Sequence, residues 1–227
     1  MSHDPYAPLR NLMVQIVAAH AEATKQVTGL ASINQRVLDA MEAVPRHEFV
    51  PVEVRAYAHA DGPLPIGWDK TISQPFITAL MTELLCLDAG LDVLEIGTGL
   101  GYHTALLSGL ARRVYTVEIV EELAEEAARR LASVGCENIF RKVGNGYNGW
   151  PEHAPYDRIV VAAAPELIPP SLIGQLKPGG RMVLPAGLGE AQQLMVVDKS
   201  ADGKLTTREI LAVRFSPMEG TETAGQV

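Results

Sequence analysis

Two carboxylates frame a run of glycines in the middle of the chain: Glu95-Ile96-Gly97-Thr98-Gly99-Leu100-Gly101, and then Glu118. Glycines in a turn between an apolar strand and a helix permit unusual backbone angles and a close approach of a ligand. Helix N-termini and such loops also suit anionic groups. A carboxylate at the end of the next strand can accept both hydroxyls of a ribose. Asn145-Gly146 follows the strand after that. Other chemistries lack their residues. No Ser-His-Asp order, no pair of catalytic carboxylates and no metal-ligand cluster is present, so no metal is expected. Cys86 and Cys136 have neither metal nor redox spacing and are expected to be buried free thiols.

Loop spacing separates two cofactor classes. The dinucleotide fingerprint is Gly-x-Gly-x-x-Gly, whereas here it is Gly-x-Gly-x-Gly and Tyr102 takes the place of the last dinucleotide glycine. Glu95 ahead of the glycines fits a methyltransferase, its carboxylate facing the amino-acid part of S-adenosyl-L-methionine. Asn145-Gly146 stands where methyltransferases hold the adenine edge. An adenosyl cofactor is therefore favoured over nicotinamide. A glycine turn needed only for helix–sheet packing is the bland alternative.

These residues must be held by a particular order of elements. Asp92–Ile96, Val114–Glu118, Asn138–Val143, Arg158–Ala163 and Arg181–Pro185 read as strands, the last starting after Pro178-Gly179-Gly180. Tyr102–Ala111, Val120–Val134 and Pro170–Leu176 read as the helices between them. Such alternation predicts a Rossmann-like α/β fold: a mixed, mostly parallel sheet with helices on both faces. Gln193–Lys199 and Lys204–Phe215 flank Ala201-Asp202-Gly203 and predict a C-terminal antiparallel hairpin. Ahead of this core lies an N-terminal helical extension. Leu9, Leu12, Met13, Ile16 and Val17 share a helical face. A second helix is predicted from Ser32, with Gln35 completing a capping box, to Pro45. Pro51–Pro75 reads as an ordered, packed loop, too apolar for disorder, and Phe76–Leu87 as a helix. The whole, residues 1–227, is expected to be one domain: helices in 1–45, a substrate and cofactor loop in 46–75 and the core in 76–218.

Composition narrows the partners. The 227 residues are 47% hydrophobic and 20% charged, with net charge −8, ordinary for a globular protein. No basic stripe suggests nucleic acid, no apolar run reaches membrane-spanning length, and Met1–Pro5 lacks a signal-peptide pattern. A cytoplasmic protein is expected; its oligomeric state is not legible.

Outside the glycine loop the sequence resembles the protein-L-isoaspartate O-methyltransferase family. The resemblance rests on Val44-Pro45-Arg46-His47-Glu48-Phe49-Val50-Pro51, Pro63-Leu64-Pro65-Ile66-Gly67 and Thr71-Ile72-Ser73-Gln74-Pro75. It continues through Met81–Leu85, Gly149-Trp150-Pro151, Ala154–Asp157 and Gln175–Arg181, covering about residues 33 to 218. It implies methyl transfer from S-adenosyl-L-methionine to the free carboxylate of isoaspartyl residues in damaged proteins or peptides. It implies cofactor contacts from Lys70, Thr71, Ile72, Glu95, Gly97, Thr98, Gly99, Leu100, Gly101, Glu118, Asn145 and Gly146, and assigns Ser73 to catalysis. Lys70, Asn145, Ile119 and Ser216 depart from the family pattern, and residues around Ala19–Val27 add to its N-terminus. A paralogue with another carboxylate or peptide acceptor, or a non-catalytic binding protein, stays open on these departures.

Overall fold

The structure, a computed structural model, describes residues 4–221. The first helix, α1 (Ala7–Thr28), is followed by α2 (Gln35–Ala43), two 3₁₀ turns and a two-stranded hairpin, β1 (Leu64–Gly67) and β2 (Lys70–Ile72); α3 (Pro75–Leu84) completes this half. The core alternates β3 (Asp92–Ile96), α4 (Tyr102–Leu110), β4 (Arg113–Glu118), α5 (Glu121–Ser133), β5 (Ile139–Val143), β6 (Tyr156–Val161), α6 (Pro170–Gln175) and β7 (Leu176–Leu188), and ends in β8 (Ala191–Lys199) and β9 (Leu205–Val213). The sheet order is β5-β4-β3-β6-β7-β8-β9. The first five strands are mutually parallel, while β7–β8 and β8–β9 pair antiparallel.

Side chains along the central strands alternate between two cores. Val93, Val114, Val160 and Val183 join the cluster that includes α1 to α5. Leu94, Tyr115, Ile159 and Met182 join the cluster on the other face. Both faces of β3 are thus covered, as a parallel sheet requires. The strand order reverses between β3 and β6, where a crevice opens at the C-terminal ends of the strands.

Several local expectations are corrected. The buried stripe of α1 is Met13, Val17 and Ala21, whereas Leu9, Leu12 and Ile16 are exposed. α2 is capped by Asn34, whose side chain accepts from the Arg36 N–H, not by a box begun at Ser32. β7 does not begin after the Pro178-Gly179-Gly180 breaker but runs through it, with a register shift against β6. Cys86 is exposed and Cys136 half-buried. Inside the Pro51–Pro75 segment, the β1–β2 hairpin turns through Trp68 and Asp69, both in the left-handed region (φ 49° and 54°). Asn-Gly is the usual pair for such a turn.

The start of α1 is latched onto the segment after α2. Tyr6 stacks on His47 with ring centroids 4.1 Å apart, and His59 lies 5.5 Å from His47. Neither ring nitrogen of the buried His59 has a hydrogen-bond partner among the described residues. Burial holds both imidazoles below their ordinary value, His59 at about 4 against 6.5. A histidine depressed in the folded state stabilises above its unfolded pKa, and that contribution is lost as pH falls through the folded one. The melting temperature should therefore drop between pH 6.5 and 4, and less so in His59→Leu. Identical pH profiles for the variant and wild type would remove His59 as the cause.

Candidate active site

The crevice at the strand ends widens into a cavity of about 600 Å³. Its cofactor-side wall is built by the loop after β3. Gly97 and Gly99 adopt φ of 92° and 57°, conformations that side-chain-bearing residues rarely take. Gly97 N–H bonds to the Val117 carbonyl at 2.8 Å, tying the loop to β4. Gly146 comes so close to β3 that a Cβ there would lie 2.4 Å from an Ile96 methyl. The chain thus crosses the end of the sheet with no room to spare, and the cavity lies above it.

Glu118 ends β4 and faces the cavity. One carboxylate oxygen accepts from the Gly99 N–H at 2.8 Å. The other accepts from the Ile119 and Val120 N–H groups at 2.9 and 3.1 Å. Three backbone donors therefore aim the group before any ligand arrives. Of roughly four acceptor sites on a carboxylate, about one is left for a hydroxyl. Accepting both ribose hydroxyls would require displacing one of these donors.

Glu95 is placed differently from expectation. It is fully buried and stands behind the loop rather than in the cavity wall. One oxygen accepts from Thr104 and Thr116 hydroxyls at 2.5 and 2.7 Å. Because Thr116 spends its proton there, Thr98 is the donor in the 2.6 Å Thr98–Thr116 bond. The other oxygen, Oε1, has no hydrogen bond among the described residues; His103 Nδ1 is 3.9 Å away. Burial drives the Glu95 carboxyl up to about 7, against the opposing pull of the two threonine hydroxyls. His103 is held at about 4 by burial. An orphaned carboxylate oxygen behind a glycine cradle fits a cofactor that brings both a cation and a nucleoside, as S-adenosyl-L-methionine does.

Of the other expected residues, Lys70, Thr71, Ile72, Ser73, Thr98, Leu100 and Gly146 line the cavity. Gly101 does not. It caps α4 in a left-handed conformation, and a Cβ there would press on Leu131 at 3.0 Å. Asn145 does not either. Its oxygen accepts from the Tyr147 N–H and its amide donates to the Thr221 carbonyl, so it secures a turn and ties it to Thr221. Lys70 is ion-paired with Glu219.

Ser73 is set by a fully buried arginine. Arg46 donates from Nη2 to the Ser73 carbonyl and from Nε to the Ala58 carbonyl, both at 2.8 Å. Its guanidinium lies 4.6 Å from the Tyr102 ring centroid. The Ser73 hydroxyl makes no hydrogen bond among the described residues and faces the cavity. In the sequence Arg46 stood out only as part of the Val44–Pro51 run, with no role at the site. Also missed were His20 and Thr24 from α1 and, apart from Ser216, the residues from Leu211 to Glu219 at and beyond the end of β9. For α1 the one available signal was the extra sequence around Ala19–Val27.

Comparisons with known proteins agree with this geometry. The model of the protein-L-isoaspartate(D-aspartate) O-methyltransferase family matches residues 23–223. Protein-L-isoaspartate O-methyltransferase 1 of Polaromonas sp. (strain JS666 / ATCC BAA-500) is 54% identical over 222 residues, covering 98% of this chain and 94% of that protein. The protein of the same name from Cupriavidus necator is 53% identical over 218 residues, covering 96% and 84%. A solved protein-L-isoaspartate O-methyltransferase superposes with a TM-score of 0.80 at 30% identity, covering 94% of this chain and 66% of that one. A Plasmodium falciparum structure in complex with S-adenosyl-L-homocysteine shares the fold, with a TM-score of 0.78 at 18% identity, covering 92% and 98%. Glycine cradle, aimed Glu118, Ser73 at the cavity wall and similarity over nearly the full length lead to one assignment: the chain belongs to the protein-L-isoaspartate(D-aspartate) O-methyltransferase family.

Proposed function

We propose that this chain transfers the methyl group of S-adenosyl-L-methionine to the free carboxylate of L-isoaspartyl residues in damaged proteins and peptides. The observation that carries this reading is the placement of Thr71–Ser73 in the wall of the same cavity that holds the glycine loop and Glu118. When bound, the cofactor supplies an electrophilic methyl group on a sulfonium. The acceptor carboxylate is already ionised near neutral pH, so no side chain has to remove a proton. What remains for the chain is to align the acceptor and exclude water. Ser73, with its carbonyl pinned by Arg46, presents a free hydroxyl to orient the carboxylate by a hydrogen bond. Cytoplasmic proteins are the proposed setting.

Incubation with labelled cofactor and paired peptides, one isoaspartyl and one with normal aspartate, tests the reading. Selective labelling of the isoaspartyl peptide is expected; equal, negligible labelling of both would overturn it. Ser73→Ala should lower turnover while leaving S-adenosylhomocysteine affinity intact, and unchanged turnover would take the hydroxyl out of the mechanism. A changed acceptor loses part of its motive because Lys70 is matched by Glu219.

A further inference from the structure

The cavity divides by its place on the sheet. The loop after β3, the end of β4 and Gly146 form one side; α1 and the end of β9 form the other. Five strand spacings separate β4 from β9, roughly 24 Å across the sheet at about 4.8 Å each. With the cofactor cradled on the β3–β4 side, the methyl acceptor must enter from the side of α1 and β9.

On that side stands His20. Its ring stacks on Phe76, centroids 3.9 Å apart and planes within 13°. Its Nδ1 is 2.9 Å from Asp61 Oδ2. Asp61 also accepts from the Phe76 N–H and the Gln74 side chain, both at 3.0 Å, so one carboxylate fixes the imidazole and the turn that follows Ser73. An ionised carboxylate only accepts, and the proton in the His20–Asp61 bond is therefore on Nδ1. Nε2 is left with no partner among the described residues, on a ring that is about a third exposed and lines the cavity. The other nitrogen-bearing side chains of the lining each have a partner: Lys70 in Glu219, Gln74 in Asp61, Arg214 in Glu190, and His103 in Thr82.

We propose that His20 is a specificity-determining residue: its Nε2, aimed by Asp61 and Phe76, donates to the free carboxylate of the acceptor, and α1 is the wall that reads that charge. The proposal rests on the isoaspartyl reading above. Asp61 and the acceptor carboxylate would flank the ring, each taking one N–H; because the neutral ring with its proton on Nδ1 has only a lone pair at Nε2, His20 holds the acceptor as the imidazolium, a proton being taken up at Nε2 together with the carboxylate. The Ser73 hydroxyl, three residues before Phe76, supplies a second donor.

The test measures binding of two peptides to the S-adenosylhomocysteine complex, one isoaspartyl and one in which the free carboxylate is a carboxamide. Wild type should prefer the carboxylate by roughly tenfold, the worth of a hydrogen bond to a charged group. His20→Asn keeps a donor near the Nδ1 position for Asp61 but has nothing at Nε2, and should erase that preference with unchanged cofactor affinity and melting temperature. His20→Gln, which can place a donor near Nε2, should restore part of it. Full preference in His20→Asn overturns the proposal, as does weakening of both peptides and the cofactor together, which marks a purely structural role. If wild type methylates neither isoaspartyl nor normal peptide, the function itself is overturned and the proposal with it. Methylation by wild type with preference retained in His20→Asn overturns the proposal alone.

Discussion

Glu118→Ala is expected to raise the dissociation constant for S-adenosylhomocysteine roughly ten- to hundredfold, the equivalent of losing about 1.5–3 kcal/mol of charged hydrogen bonding. The size follows from the double duty of the carboxylate. It faces the cavity, and it also satisfies the N–H groups of Gly99, Ile119 and Val120. Truncation removes a ligand contact and leaves backbone donors of the cradle without their acceptor. Glu118→Gln separates the two roles. Its carbonyl oxygen can still accept from the loop, while its amide cannot accept from a ribose hydroxyl. An intermediate loss is expected for it. Calorimetric titration measures all three proteins, and an unchanged constant in Glu118→Ala would show that the nucleoside lies elsewhere.

Glu95→Gln should stabilise the protein without its cofactor at pH 8 and weaken cofactor binding. Burial raises the Glu95 carboxyl from 4.5 to about 7. A group raised in the folded state contributes stability that is complete below the unfolded pKa and is lost as pH rises through the folded one. Ionised Glu95 therefore costs the folded protein about 3 kcal/mol above pH 7, taking 1.36 kcal/mol for each pH unit between 4.5 and about 7. Glutamine keeps an oxygen for Thr104 and Thr116 and carries no charge. Its melting temperature should exceed that of wild type by about 5 °C or more at pH 8, and the advantage should vanish near pH 4.5. The difference between the two proteins is the quantity to follow, because the histidine contributions run in the opposite direction and cancel in it. A pH-independent difference would refute this cause. Weaker binding of S-adenosylhomocysteine by the stabilised variant would identify the orphaned Oε1 as part of the cofactor's electrostatic environment.

The core was legible because its signal is redundant. Short apolar strands alternate with amphipathic helices, and Asp92–Ile96 and the helix from Tyr102 are bounded by the glycines that also build the loop. Errors arose where one local signal had to decide alone. In α1 two stripes of apolar residues satisfy the helical period; tertiary packing chose Met13, Val17 and Ala21 over the larger Leu9, Leu12 and Ile16. At Pro178-Gly179-Gly180, residues that break a free strand are absorbed as a register shift, because β6 pairs the chain at Leu176 before them and at Arg181 after them, where β8 also begins to pair. The cofactor half of the site comes from neighbouring turns and could be read in order. The acceptor half could not. The proposed acceptor side brings His20, Ser73 and Leu211–Phe215 into the wall of one cavity, and no local pattern encodes an approach between residues so distant in sequence. Asn145 and Gly101 occupy motif positions beside the cavity, and their nearest contacts are with turn and helix neighbours.

The cavity's dependence on both chain ends has a consequence for biosynthesis. As the polypeptide is made, the glycine loop and Glu118 emerge long before the segment that closes over them. Leu211 to Glu219 must follow, with Ser216 accepting from the Ala164 N–H, Met218 donating to the Ala164 carbonyl and Glu219 meeting Lys70. A nascent chain stalled before Leu211 would own the complete cofactor fingerprint and no finished chamber. Because a ligand stabilises the state that binds it, a cofactor held in this cavity would favour the arrangement that brings α1 and Leu211 to Glu219 against the glycine loop.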